Sequence, residues 1–160
     1  MSKIAFGIYL GLGGAIAVIE ENGTLITVYD MPTLCDGPKG KRTINAMLLF
    51  NILRQNPADH AYVEYVGARP GEGAVGAFAF GRGRGIVEGV LGSLAIPMTL
   101  LTPACWKRVV GLAPGTNKDA SRSMAIARWP DKAEWFKRKM DNGRSDAALI
   151  GIAGLIRQSH

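Results

Sequence analysis

The stretch that most constrains this chain is His60-Ala61-Tyr62-Val63-Glu64-Tyr65-Val66, an apolar run with one carboxylate inside it. β-branched and aromatic residues dominate it. A Pro-Ala-Asp turn precedes it and Gly67 to Gly73 breaks it off, so it reads as a buried β-strand. A buried carboxylate is costly unless it is paired or bound to a cation. Glu64 therefore either meets an Arg or Lys across the sheet or belongs to a functional cluster, and the strand alone leaves both readings open.

The elements around this strand set its context. Ile4 to Leu10, Ala15 to Glu20 and Leu25 to Tyr29 are three β-like runs, joined by Gly11-Leu12-Gly13-Gly14 and Glu21-Asn22-Gly23, both suited to hairpins. Met31 to Arg42 reads as a polar connector. Thr43 to Gln55 has apolar residues at Ile44, Met47, Leu48 and Ile52, a helical spacing, with Thr43 placed to cap it. Beyond Glu64, Ala74 to Leu94 is a long Gly/Ala-rich helical segment and Ile96 to Leu101 a fifth strand. Thr102-Pro103 opens a short helix through Val110, with Pro at its first position. A loop at Leu112 to Asn117 leads to a basic helix, Lys118 to Arg128. Asp131 to Met140 reads as helical, and an apolar helix runs from after Gly143 to about Ile156. A meander followed by strand–helix–strand predicts an α/β fold: a mixed five-stranded sheet flanked by helices, in one domain of 160 residues.

Several function classes fall away. Gly11-Leu12-Gly13-Gly14 lacks the spacing of a dinucleotide fingerprint, and β-branched residues follow where a helix should open. There is no Gly-Lys-Ser/Thr phosphate loop. His60 and His160 are isolated, and Cys35 and Cys105 lie far apart without Cys-x-x-Cys, which argues against zinc and for reduced cytosolic thiols. No run approaches the roughly 18 apolar residues of a membrane span, and the first residues do not read as a signal peptide. The net charge of +6 brings a polyanionic partner into consideration, with nucleic acid and an anionic membrane surface as the two candidates.

The acids and bases fit such a partner. Asp146 falls in the first turn of the last helix, where the helix dipole alone would stabilise it. With Asp141 five residues upstream it could instead converge on Mg²⁺, a hard cation held by a few carboxylates plus substrate phosphates. Arg82 and Arg84 lie on the Gly-rich helix, Lys107 and Arg108 follow Trp106, and Lys118 and Arg122 share a helix face. A solvated surface explains many of these. Clusters flanking each candidate acid also suit a phosphate backbone.

In this order the elements resemble the RuvC family of Holliday-junction resolvases, especially its small phage-borne members, within the RNase H-like (retroviral integrase) superfamily. Ile4 through Ala17, with Gly7-Ile8-Tyr9-Leu10-Gly11, resembles the first hairpin, and Val63-Glu64 resembles the strand carrying the second acid. Arg69-Pro70-Gly71-Glu72-Gly73 and Phe80-Gly81-Arg82-Gly83-Arg84-Gly85 resemble the loop and long helix that follow. Thr102-Pro103-Ala104-Cys105-Trp106-Lys107, Lys118-Asp119-Ala120-Ser121-Arg122 and Asp141-Asn142-Gly143-Arg144-Ser145-Asp146-Ala147 continue the match nearly to the end.

The resemblance implies a structure-selective DNA endonuclease that resolves four-way junctions by metal-dependent phosphodiester hydrolysis. Glu64 and Asp146 would be its metal-binding catalytic acids, with Asp141 as helper. Mg²⁺, or Mn²⁺, would serve as two ions about 4 Å apart that activate water and stabilise the leaving oxygen. Arg82, Arg84, Lys107, Arg108, Lys118, Arg122 and Arg144 would contact branched DNA. It further implies a homodimer, because two symmetric nicks need two sites about a two-fold axis, with Ala74 to Leu94 as the dimer surface. The compartment would be a bacterial or phage-infected host cytosol, with no membrane role.

Two departures qualify these expectations. Tyr9 stands where the first hairpin normally presents an Asp. Tyrosine is neutral near pH 7 and a poor Mg²⁺ ligand, so cleavage by the chain as written should be weakened or lost unless Asp141 or Glu72 substitutes. Gly67 and Ala68 stand where bacterial members carry an aromatic wedge. A non-cleaving binder of branched DNA and an RNase H-type hybrid nuclease are the alternatives.

Overall fold

The computed structural model describes residues 2–160. Strands β1 (Ile4–Tyr9), β2 (Ala15–Glu20) and β3 (Leu25–Asp30) form the expected antiparallel meander. Its turns place Gly11 at φ 112° and Gly23 at φ 93°, conformations open to glycine at no steric cost. The stretch read as a polar connector is instead a small two-stranded ribbon, β4 (Thr33–Cys35) and β5 (Arg42–Ile44), apart from the main sheet. Thr43 therefore lies in a strand. The cap of α1 (Ala46–Gln55) is Asn45, whose side chain accepts from the Leu48 amide at 3.1 Å.

Strand β6 (His60–Glu64) then pairs parallel to β1, and after α2 (Ala74–Ser93) strand β7 (Met98–Leu101) pairs parallel to β6. The sheet order is β3-β2-β1-β6-β7, mixed and five-stranded as expected. Helices α3 (Pro103–Val110), α4 (Lys118–Arg128) and α5 (Asn142–Gln158) complete the α-helices, and a short 3₁₀ turn, Pro38–Gly40, joins β4 to β5. Between α4 and α5 the chain forms two 3₁₀ turns, Pro130–Phe136 and Lys139–Asp141, where an α-helix was expected over Asp131 to Met140.

Side-chain alternation along the strands divides the interior in two. Phe6, Ile8, Ala61 and Val63 pack toward α1 and α2, together with Leu49, Leu53, Val87 and Leu91. Ala5, Tyr9 and Tyr62 point the other way, into a cluster with Trp106 and the Ala147–Ala153 stretch of α5. Helix α5 lies very close to this face: a Cβ at Gly7 would sit 2.1 Å from the Ala147 carbonyl oxygen, and one at Gly154 would enter the Tyr62 ring. Glu64, two residues after Tyr62, shares the α5 side. The fold thus carries Tyr9 and Glu64 to adjacent strand ends that face the start of α5.

Candidate active site

Parallel pairing of Ile8 with Val63 brings the ends of β1 and β6 level. Tyr9 lines a cleft of about 160 Å³ together with Asp146, Asn142, Ser121, Lys107 and Lys118. Glu64 is set deeper, 6% exposed, and its Oε2 accepts from the indole Nε1–H of the fully buried Trp106 at 2.9 Å. Burial pushes the Glu64 carboxyl up to about 7. The Trp106 hydrogen bond opposes this, the neighbouring Asp146 adds to it, and Lys107 and Arg69 oppose it. Asp146 is also raised by burial, with Ser121, Lys107 and Lys118 offsetting part of the effect. The Tyr9 phenol is raised by burial and by both acids, so it is neutral at physiological pH. Tyr9, Glu64 and Asp146 therefore lie within electrostatic reach of one another.

Asp141 is not in this group. It is 1% exposed and tied to Arg138, whose Nη2 lies 2.9 Å from Oδ1 and whose backbone N–H donates to Oδ2 at 2.8 Å; Arg144 is 3.7 Å away. Burial alone would raise its carboxyl, but the Arg138 hydrogen bonds and the two guanidinium charges hold it below the ordinary range. Asp141 is built into the turn that enters α5. Asp141→Asn is expected to cost about 1–3 kcal/mol of stability, read from the denaturant midpoint, while leaving Mn²⁺ affinity unchanged. A variant that loses the ion at full stability would contradict that reading. Glu72 accepts from the Arg69 amide at 3.3 Å within its own exposed loop.

The side chain that sequence reasoning missed is Asn142. It lines the cleft one helical turn before Asp146, and its Oδ1 is buried without a hydrogen-bond partner. Such an orphaned acceptor calls for a partner. The helical period could have revealed it: residues four apart share a face, whereas Asp141, five before Asp146, points elsewhere. Among the described residues no three His, Cys, Asp or Glu side chains converge; the oxygen donors on offer are Asp146 and Asn142 in the cleft and the Glu64 carboxylate within electrostatic reach of Asp146. These are hard ligands of the kind Mg²⁺ and Mn²⁺ take, and the set fits a divalent cation.

The expected DNA-contacting cations divide into two groups. Lys107 and Lys118 line the cleft, and Arg108 joins Lys107 along a neighbouring groove formed with the Gly111–Thr116 loop. Arg84 lies over the Tyr65 ring and bonds Glu88 at 2.8 Å. Arg82 is paired with Asp36. Arg122 turns to Asp119 and to the Lys137 carbonyl, while Arg144 makes a two-pronged pair with Asp30 at 2.8 and 2.9 Å. Arg69, absent from the expected set, contributes positive potential at both Glu64 and Tyr9.

The strand order and the flanking helices make an RNase H-like α/β fold, shared with solved RuvC structures. Among solved structures, RuvC of Thermus thermophilus superposes with a TM-score of 0.61, and the same organism's RuvC in complex with a Holliday junction substrate with 0.66. Each is 13% identical, over 98% of this chain and 96% of the other. In sequence the chain is similar to the chloroplastic Holliday junction resolvase MOC1 of Chlamydomonas reinhardtii, 31% identical over 96 residues. That match covers 60% of this chain and 11% of the relative, so the chain spans only a small part of that protein. No protein-family model matches the chain. Among the described residues no helix is long and apolar enough to cross a membrane.

Proposed function

We propose that this chain is a junction-recognising DNA endonuclease of the resolvase type, with Glu64 and Asp146 as its metal-binding acids. The observation that carries the proposal is the cleft where Asp146 and Asn142 stand beside Lys107 and Lys118, with the buried Glu64 within electrostatic reach of Asp146 and Lys107. Likeness to RuvC bound to a junction, and to a chloroplastic resolvase, supports branched DNA as substrate. Mg²⁺ is the natural ion and Mn²⁺ a substitute.

Bound there, a divalent cation would lower the pKa of a water and offset charge on the scissile phosphate. The chain's own residues do the rest. Trp106 holds Glu64, and Lys107 and Lys118 draw the phosphate backbone toward the acids. Burial of the two carboxylates favours their protonated forms, so ion binding displaces protons and strengthens as pH rises past about 7. Tyr9 withholds the charge that a third acid would supply, which favours a chain that binds junctions firmly and cuts them slowly. Homodimerisation through α2 is part of the same reading and is supported by Val75 and Phe78, 70% and 75% exposed on that helix. The two free thiols, Cys35 and Cys105, accord with a reducing cytosol.

The test is binding of a labelled four-way junction against linear duplex and RNA–DNA hybrid across a salt series. Lys107→Ala and Lys118→Ala are each expected to weaken junction binding and to reduce the salt slope by about 1, without lowering the melting temperature. Equal affinity for all three nucleic acids, or slopes unchanged in both variants, would contradict the proposal.

A further inference from the structure

We propose that Trp106 is a positioning residue for Glu64: its indole N–H holds Oε2 so that Oε1 stays directed to the cation, a reading that rests on the nuclease assignment of this site. The geometry is specific. Trp106 is fully buried on α3, and it supplies the sole hydrogen bond that the Glu64 side chain receives among the described residues. Only Oε2 is engaged, and Oε1 is not among the buried side-chain atoms left without a partner.

Local structure fixes where this donor sits. Strand β7 pairs with β6 up to Glu64–Leu101, and the Tyr65 amide donates to the Leu101 carbonyl at 2.8 Å. Thr102 then caps α3, accepting from the Cys105 amide at 3.2 Å, and Pro103 occupies the first turn. The helix therefore starts one residue beyond the strand that flanks Glu64, and its first turn returns Trp106 over the carboxylate. Lys107 follows directly, its ammonium 5.6 Å from the Trp106 ring centre, so one short helix supplies both the donor to Glu64 and a cation at the cleft. Outer donors of this kind orient metal-ligating carboxylates, and their loss typically weakens metal binding by about 10–100-fold.

Two measurements on the full chain test the role. Mn²⁺ affinity is measured by calorimetry for the unmodified chain, for Glu64→Gln, and for a chain carrying benzothienylalanine at position 106, which keeps the ring shape and lacks the N–H. The expected result is a dissociation constant at least about tenfold weaker for the isostere and no measurable binding for Glu64→Gln. In the unmodified chain, the ¹H–¹⁵N resonance of the Trp106 indole should move on Mg²⁺ titration with the same midpoint as ion binding, while those of Trp129 and Trp135 stay fixed. A purely structural tryptophan would produce neither effect. Equal affinity in the isostere, or an unmoved Trp106 resonance while the ion binds, overturns the role and leaves the nuclease reading standing. If the isostere fails to fold, the resonance decides. An unmodified chain that binds neither ion overturns the nuclease reading itself.

Discussion

Tyr9→Asp is expected to raise Mg²⁺-dependent nicking of a synthetic four-way junction by about 100-fold or more, equivalent to about 2.7 kcal/mol at the barrier. Tyr9 is the last residue of β1 and lies within electrostatic reach of Glu64 and Asp146. Burial and both acids hold its phenol neutral, so it brings bulk to the cleft and no charge. A carboxylate there would be the third, shorter side chain would leave room for a second cation, and the added charge would help offset two ions. The same change should destabilise the ion-free chain, because three acids in one poorly solvated cleft repel one another. Cleavage is read from a labelled junction on a denaturing gel. Vigorous cutting by the unaltered chain, or a Tyr9→Asp chain that binds Mg²⁺ and junction yet cuts no faster, would contradict this account of Tyr9.

The second large effect concerns stability. The folded chain holds the Glu64 proton up to about pH 7, against an ordinary value of 4.5, so the folded state binds that proton more tightly than the unfolded chain does. The resulting stabilisation is full below pH 4.5 and is lost as pH rises through about 7. At pH 8 the ion-free chain carries a buried, ionised Glu64 at a cost on the order of 3 kcal/mol. Glu64→Gln removes that cost and keeps an oxygen that can accept from Trp106. Without divalent ions, its melting temperature should match that of the unmodified chain near pH 4.5 and exceed it by roughly 5–10 °C at pH 8. A difference independent of pH would show that Glu64 is not the titrating group. The residue proposed to carry the chemistry is thus the one whose removal is expected to steady the ion-free fold.

How much of this was legible in the sequence depends on the range of the interaction involved. The main sheet was, because β-branched runs and glycine turns are local signals, and Ile4–Tyr9 and His60–Glu64 stand within a residue or two of where their patterns end. The β4–β5 ribbon was not: two three-residue strands in a polar segment carry no periodicity, and only their mutual pairing makes them strands. Thr43 looked like a cap because the apolar spacing starts at Ile44, yet Ile44 is buried as a strand residue and Asn45 takes the capping role. At the site, Glu64 and Asp146 stood out as acids in apolar surroundings. Charge draws attention to Asp141 and none to Asn142, although the helical period of about 100° per residue sets Asn142 only about 40° from Asp146 and Asp141 about 140° away. The Trp106–Glu64 bond spans 42 residues and depends on the β6–β7 register, which no local pattern encodes.

The central claim is that Glu64 and Asp146 share one cation at the end of β1 and β6. Its most direct test is a crystal soaked in Mn²⁺ and measured at the manganese absorption edge. An anomalous peak bridging the Glu64 and Asp146 carboxylates, with the Asn142 amide oxygen alongside, is the predicted result. A peak elsewhere on the chain, with neither carboxylate among its ligands, would contradict it.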